Sequence, residues 1–298
     1  MSKNLRSAAA LPALALVAAA ALCPWLGACS SARPDASYSD SARAAFDEAM
    51  EAFEDEDYLE AVKRLTTVKN KYAYSRWAAL AELRIADAYY EQDKWIEAID
   101  AYRTFAQSRP NHPEVPYALY RVGRSYYEQM PSDFFILPPV HERDPAATKD
   151  TLRALETFVE RYPENENAAD ARERIRTCRQ LLADQEMYVA RFYLHQERPV
   201  SARGRLERVV ADYPDLEDRW AEAALLLVRV YADASVGLTG EAREMAQRLI
   251  RERPTTPEAQ EARDLLARLP VPPTPPASAS PTFVDPGTAP PPAPASGG

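Results

Sequence analysis

One spacing recurs between residues 39 and 268: a small residue, usually alanine, followed twelve positions later by proline. Ala98 to Pro110, Ala202 to Pro214 and Ala242 to Pro254 obey it. Thr151 to Pro163 keeps it with threonine in the alanine place, and Ala61 to Ala73 keeps it with the proline lost. Twelve residues before each anchor there is usually another small or apolar residue: Ala49, Ala86, Ala190 and Val230. Aromatics recur three positions after that residue (Tyr89, Tyr193) and three before the anchor (Tyr58, Trp95). A unit this short cannot bury its own apolar face, so its copies must stack on one another.

The intervening sequence is full of Ala, Leu, Tyr, Arg and Glu at helical spacing, with few β-branched alternations, which makes the elements helices. Small residues let paired helices approach and aromatics fill the gaps between pairs. Proline, lacking an N–H and clashing with the preceding turn, ends each second helix. The pattern resembles the tetratricopeptide repeat, a helix-turn-helix unit of about 34 residues. It predicts an all-α, right-handed solenoid of five TPR-like helix pairs over residues 39–268, with repeats at about 41–74, 78–111, 115–164, 167–215 and 217–254. In the third repeat Gly123 takes the small position, and the segment EQMPSDFFILPPVHERDPAA inserts between the two helices. From about Asn167 to Gln196 there is no breaker, so one long helix leads into the fourth pair.

The chain opens with Lys3 and Arg6, continues with an Ala/Leu-rich stretch from Ala8 to Leu22, and reaches Leu26-Gly27-Ala28-Cys29. A charged start, an apolar run too short for a comfortable membrane span and small residues before a cut site describe an export signal, residues 1–28. The Leu-Gly-Ala-Cys sequence resembles the bacterial lipobox, which implies cleavage before Cys29 and covalent lipid on it. Three acyl chains hold a protein essentially permanently, whereas one holds only marginally. Ser30, where an Asp would favour inner-membrane retention in enteric bacteria, implies transfer to the outer membrane. Residues 29–38 are expected to be a flexible tether. Residues 269–298, with eleven prolines, cannot bury a core and are expected to be a disordered tail.

Without residues 1–28 the chain carries 34 Lys+Arg against 45 Asp+Glu, a net charge of −11, which argues against nucleic-acid binding. His112, His141 and His195 lie far apart with no metal-ligand spacing, no phosphate-cradling glycine loop occurs, and no G-x-S-x-G elbow is present. No enzyme and no cofactor are expected, apart from the lipid on Cys29. Cys178 reads as a small buried helix residue.

Taken together, AYYEQ (88–92), RPNHPEVPYALYRVG (109–123), FF (134–135), RDP (143–145), VERYP (159–163), ADQEMYVARFYL (183–194) and GRLERVVADYP (204–214) resemble the BamD (ComL) family, lipoproteins of the outer-membrane β-barrel assembly machinery. That resemblance implies an outer-membrane, periplasm-facing scaffold that acts with other Bam subunits. The first two repeats would receive the C-terminal targeting strand of unfolded outer-membrane proteins, and the later ones would dock on a POTRA domain of the barrel subunit BamA. Arg205 matches a family arginine implicated in the latter contact; its alternative is a solvated arginine beside Glu207 or Glu197. Phe134 and Phe135, in an apolar run, either meet a partner or pack within the chain. Tyr89, Tyr90, Tyr117 and Tyr120 either offer rings to a bound strand or belong to the core. Ala73 and the following YSRW depart from the family, replacing a turn that commonly contains Pro or Gly. A rival reading is a repeat lipoprotein acting as adaptor in cell-wall synthesis or in pilus or secretion-pore assembly.

Overall fold

The structure, a computed structural model, describes residues 36–130 and 144–270. Cys29, the export signal, Phe134, Phe135 and residues 271–298 lie outside the described residues. Within them every regular element is a helix: α1 (Ala36–Glu54), α2 (Tyr58–Lys71), α3 (Arg76–Glu91), α4 (Trp95–Ser108), α5 (Val115–Glu128), α6 (Ala146–Arg161), α7 (Ala168–His195), α8 (Pro199–Asp212), α9 (Glu217–Ala232), α10 (Thr239–Glu252) and α11 (Pro257–Arg268). No described helix is long and apolar enough to cross a membrane.

The repeat anchors explain the pairing. Ala61, Ala98, Thr151, Ala202 and Ala242 are all 0% exposed, each near the start of the second helix of its pair. Four positions on come Leu65, Tyr102, Leu155, Leu206 and Ala246, and seven on come Val68, Phe105, Phe158, Val209 and Leu249, all of them buried. One i, i+4, i+7 stripe therefore faces inward on every second helix, and each large side chain in it contributes about 1.5–3 kcal/mol by leaving water. Where the proline is present, it stands two residues beyond the helix end, as Pro110, Pro163, Pro214 and Pro254 do.

The turn inside a pair uses the left-handed region five positions before the anchor: Glu56 (φ 61°), Asp93 (58°), Glu197 (55°) and Gly237 (67°). Between the helices of the third pair, the small position has a steric cause. A Cβ on Gly123 would lie 2.2 Å from Leu155 Cδ2 and 2.7 Å from its Cγ. The unbroken stretch after Asn167 forms the 28-residue α7, with Cys178 buried in it.

Two boundaries extend the sequence reading. Helix α1 starts at Ala36, so residues 36–38 of the expected tether are helical; Ser41 Oγ donates to the Ser37 carbonyl at 2.7 Å, and the Tyr38 ring packs on Tyr72 at 5.3 Å. Beyond the fifth pair, α11 starts with Thr256 accepting from the Ala259 N–H at 3.2 Å and packs through Ala259 and Ala262.

The helices fall into two compact units. Unit one holds α1–α5, α6 from Arg153 and the first turn of α7 to Ala171; unit two holds the start of α6, the rest of α7 and α8–α11. In unit one, Phe46, Leu65 and Val68 centre one apolar cluster and Leu83, Ile99 and Phe105 another, with the half-buried Tyr89 against both. Unit two is built around Trp220, whose Nε1 donates to the Val210 carbonyl at 3.1 Å.

Candidate functional site

In unit one the first helices of successive pairs lie side by side. Trp77 of α3 meets Phe46 of α1 at 5.2 Å between ring centroids, Tyr117 of α5 reaches Asp87 of α3, and Tyr120 of α5 reaches Asp170 of α7. Of the four tyrosines expected to meet a bound strand, Tyr90, Tyr117 and Tyr120 are tied into a polar network here.

Asp87 is its centre, a carboxylate only 3% exposed. One oxygen accepts from Tyr102 Oη at 2.5 Å and from Tyr117 Oη at 2.9 Å; the other accepts from Arg84 at 2.5 Å. A buried charge needs partners of this kind, since an unpaired carboxylate in an apolar interior costs several kcal/mol. Arg121 closes the group from α5. Its Nε donates to Tyr102 Oη at 3.0 Å, one terminal nitrogen donates to Glu91 at 3.3 Å, and its guanidinium carbon sits 3.6 Å from the Tyr90 ring centroid. The Tyr117 and Tyr102 rings lie 5.6 and 5.9 Å from the same carbon, so three tyrosines surround one cation.

Burial, then the Asp87 charge, pushes the Tyr102 and Tyr117 hydroxyls well above the ordinary tyrosine range. Burial alone would lower Arg121, but the two tyrosines and Asp87 hold it above the usual arginine value. The tyrosines are therefore fixed proton donors. Chemically the network can clamp α3, α4 and α5 in register; it offers no free nucleophile or proton acceptor.

The four candidate tyrosines thus differ in place. Tyr90 and Tyr120 are buried, with hydroxyls accepting from Arg124 at 3.4 and 3.1 Å, and Tyr120 donates to Asp170 at 2.7 Å. Tyr117 is half-buried on Asp87, and Tyr89 packs between the two cores of unit one. What this side leaves to solvent is a rim of alternating charge from Arg84, Glu91, Arg124, Glu128 and Asp170, each partly exposed.

In unit two, Arg205 of α8 pairs with neither Glu207 nor Glu197. It donates to Glu186 of α7 at 3.1 Å, and Glu186 also holds Arg208 at 3.3 Å. Glu207 instead accepts from Tyr231 at 2.9 Å, and burial, then this hydrogen bond, raises that tyrosine to about 12. An open groove of about 550 Å³ is lined by Arg176 and Asp184 of α7 and residues 215–219, and two of its lining residues, Arg219 and Asp184, form an ion pair. Its walls are charged, unlike the mostly apolar lining of small-molecule sites. Among the described residues no cluster of His, Cys, Asp and Glu is arranged to hold a metal ion. His112 accepts from the Glu114 N–H and packs edge-on against Phe105 at 5.1 Å.

Residues 38–249 match the model of the YfiO family, described as an outer membrane lipoprotein. The chain belongs to this family. Its relatives include proteins named outer membrane protein assembly factor BamD. That of Neisseria meningitidis serogroup A is 29% identical over 185 residues, covering 61% of this chain and 68% of the relative. The Caulobacter vibrioides protein is 32% identical over 187 residues, 63% of this chain and 58% of the relative. In Vibrio cholerae the identity is 26% over 212 residues, 70% of this chain and 86% of the relative.

Sequence reasoning did not single out Asp87 and Tyr102, although a signal existed. At the position four after the anchor the other repeats carry Leu or Ala, and only the second carries a residue with a hydroxyl. It also passed over Tyr188 and Phe192, one turn apart on α7 and 38% and 54% exposed.

Proposed function

We propose that this chain is an outer-membrane lipoprotein, acylated on Cys29 and facing the periplasm, that takes part in the assembly of β-barrel proteins into the outer membrane. Membership of the outer membrane lipoprotein family over residues 38–249 carries the reading, supported by relatives named as assembly factors. The chain works by holding other chains, not by catalysis. On the first repeats, the charged rim above the Asp87 network receives the targeting strand of an unfolded outer-membrane protein, whose free backbone N–H and C=O groups suit alternating carboxylates and guanidinium groups. On the later repeats, Arg205 and the exposed rings of Tyr188 and Phe192 meet a POTRA domain of a BamA-type barrel subunit, arginine and aromatics being the residues that most often carry interface energy.

Affinity purification of the tethered protein from outer membranes tests this. Co-purification of a POTRA-containing barrel protein is expected, with Arg205→Glu weakening its recovery roughly tenfold or more while helix content stays unchanged. Recovery of cell-wall enzymes alone would reject the reading, and undiminished recovery of the barrel subunit by Arg205→Glu would remove that residue's role.

A further inference from the structure

The turn between the first two repeats differs from every other turn at its position. Lys69 to Trp77, KNKYAYSRW, runs from eight to sixteen residues past its anchor and holds three cations, no acidic residue and three aromatics. The corresponding nine residues of the second to fifth repeats carry net charges of 0, −2, −4 and 0, with at most one aromatic and at least one proline in each. In a chain that is acidic overall, the cations and rings are gathered at one turn.

Its cations and Tyr74 reach solvent, whereas Tyr72 is buried. Tyr74 is 95% exposed, Lys71 and Arg76 are exposed, and Trp77 is half-buried. Lys71 lies 5.3 Å from the Tyr72 ring centroid and Arg76 4.6 Å from that of Trp77, so each cation rides on an aromatic face. Among the described residues no ion pair of either with a carboxylate occurs, whereas Arg43, 6.0 Å from the same Trp77 ring, pairs with Asp47 at 3.5 Å. In the second and fifth repeats the turn arginines are spent internally, Arg109 on Glu82 and Arg253 on the Pro214 carbonyl, and the third has a single cation on a ring, Arg161 over Tyr162 at 5.3 Å. Tyrosine and tryptophan with lysine and arginine is the composition that settles at a membrane–water interface, rings at headgroup depth and cations on phosphate.

The same turn lies at the tethered end of unit one. Tyr38 Oη donates to the Lys71 carbonyl at 3.4 Å and its ring packs on Tyr72, so the start of α1 sits against the end of α2. From Cys29 to Ala36 there are seven residue steps, which span at most about 25 Å. That reach allows the turn to touch the bilayer surface, and because charges screen within about 8 Å at physiological salt, only side chains at contact feel the headgroups while more distant acidic residues do not.

We propose that Lys69–Trp77 is a peripheral membrane contact that rests on anionic phospholipid headgroups, with Tyr74 in the interface and Lys71 and Arg76 on phosphate. This rests on the reading of Cys29 as the lipid tether. The contact would supplement the acyl anchor by fixing which end of unit one faces the bilayer.

The mature chain carrying Cys29→Ser, which has no acyl anchor, is sedimented with vesicles of phosphatidylethanolamine and phosphatidylglycerol, and with vesicles of phosphatidylcholine alone. Binding to the anionic vesicles only is expected, falling with added salt. Lys71→Gln/Arg76→Gln should lower the partition coefficient roughly twenty-five-fold, at about fivefold per cation, and Tyr74→Ala should lower it further. All three side chains are exposed, so helical circular dichroism is expected to stay unchanged. Equal binding by the double variant, or equal binding to phosphatidylcholine, overturns the proposal. So does a photocrosslinker in place of Tyr74 that, in cells, captures only protein and no lipid. The mass of the Cys29 peptide from membranes is read separately: unmodified Cys29 with vesicle binding intact defeats the tether and leaves the patch, whereas acylated Cys29 with no vesicle binding does the reverse.

Discussion

Glu56, Asp93, Glu197 and Gly237 hold the same left-handed backbone in four equivalent turns, and glycine alone adopts it without a Cβ penalty. Nothing lies within 4 Å of where a Cβ on Gly237 would stand, so Gly237→Ala isolates the backbone term. A loss of about 1 kcal/mol in urea unfolding is expected; an unchanged midpoint would mean that the turn relaxes out of the left-handed region. Tyr102→Phe probes the other unusual position. It removes a donor to a buried carboxylate and the acceptor of Arg121, at an expected cost of about 2–3 kcal/mol. Because burial and Asp87 raise the folded-state value above the ordinary 10.0, the stability that Tyr102 and Tyr117 contribute is complete below about pH 10 and is lost as pH rises beyond it, where the unfolded chain gives up protons that the folded chain keeps. Urea midpoints compared at about pH 8 and about pH 11 should fall less in Tyr102→Phe than in the parent, since one of the two groups is gone. An equal fall would exclude Tyr102 as a source of the alkaline loss.

At the scale of helices, α5 and α6 approach closely at Gly123 and Leu155. Gly123→Ala forces a methyl into the space of Leu155 and is expected to cost about 1–3 kcal/mol by overpacking. Leu155→Ala opens a cavity costing about 2–5 kcal/mol. In the double variant the new methyl occupies the vacated space, so the two costs should fall short of their sum by at least about 1 kcal/mol; strict additivity would show that the helices separate instead of clashing. This element pair also marks where sequence legibility ends. Five anchors, the prolines beyond four second helices and the long α7 could be read from spacing alone, because a close-packed helix interface tolerates only small residues at its crossing and proline only outside it. The network around Asp87 was not read. An acidic residue beside Ala86 looks like any solvated helix position until Tyr102, fifteen residues away, and Tyr117, thirty away, are brought to it. The local neighbours that the sequence offers Arg205 as an alternative, Glu207 and Glu197, are not its partners for the same reason, Glu186 being supplied by α7.

Across the whole molecule, each unit has its own core, and in repeat architectures stability is close to a sum of repeat and nearest-neighbour terms. A lesion should therefore stay where it is made. Asp87→Asn keeps the shape of the side chain but removes the charge that Arg84 and Arg121 face, leaving those cations under-compensated on half-buried positions. Amide hydrogen exchange read along the chain is expected to accelerate by ten- to a hundredfold in α3, α4 and α5, corresponding to a local loss of about 1.4–2.7 kcal/mol, while α9, α10 and α11 keep the parent's protection. Under the proposed division of labour the same variant should lose targeting-strand binding yet still co-purify the barrel subunit, with Arg205→Glu giving the opposite pair of results. Uniform acceleration through both units would mean that the chain opens as one cooperative body, and the separation of the two binding roles would then have no basis in local stability.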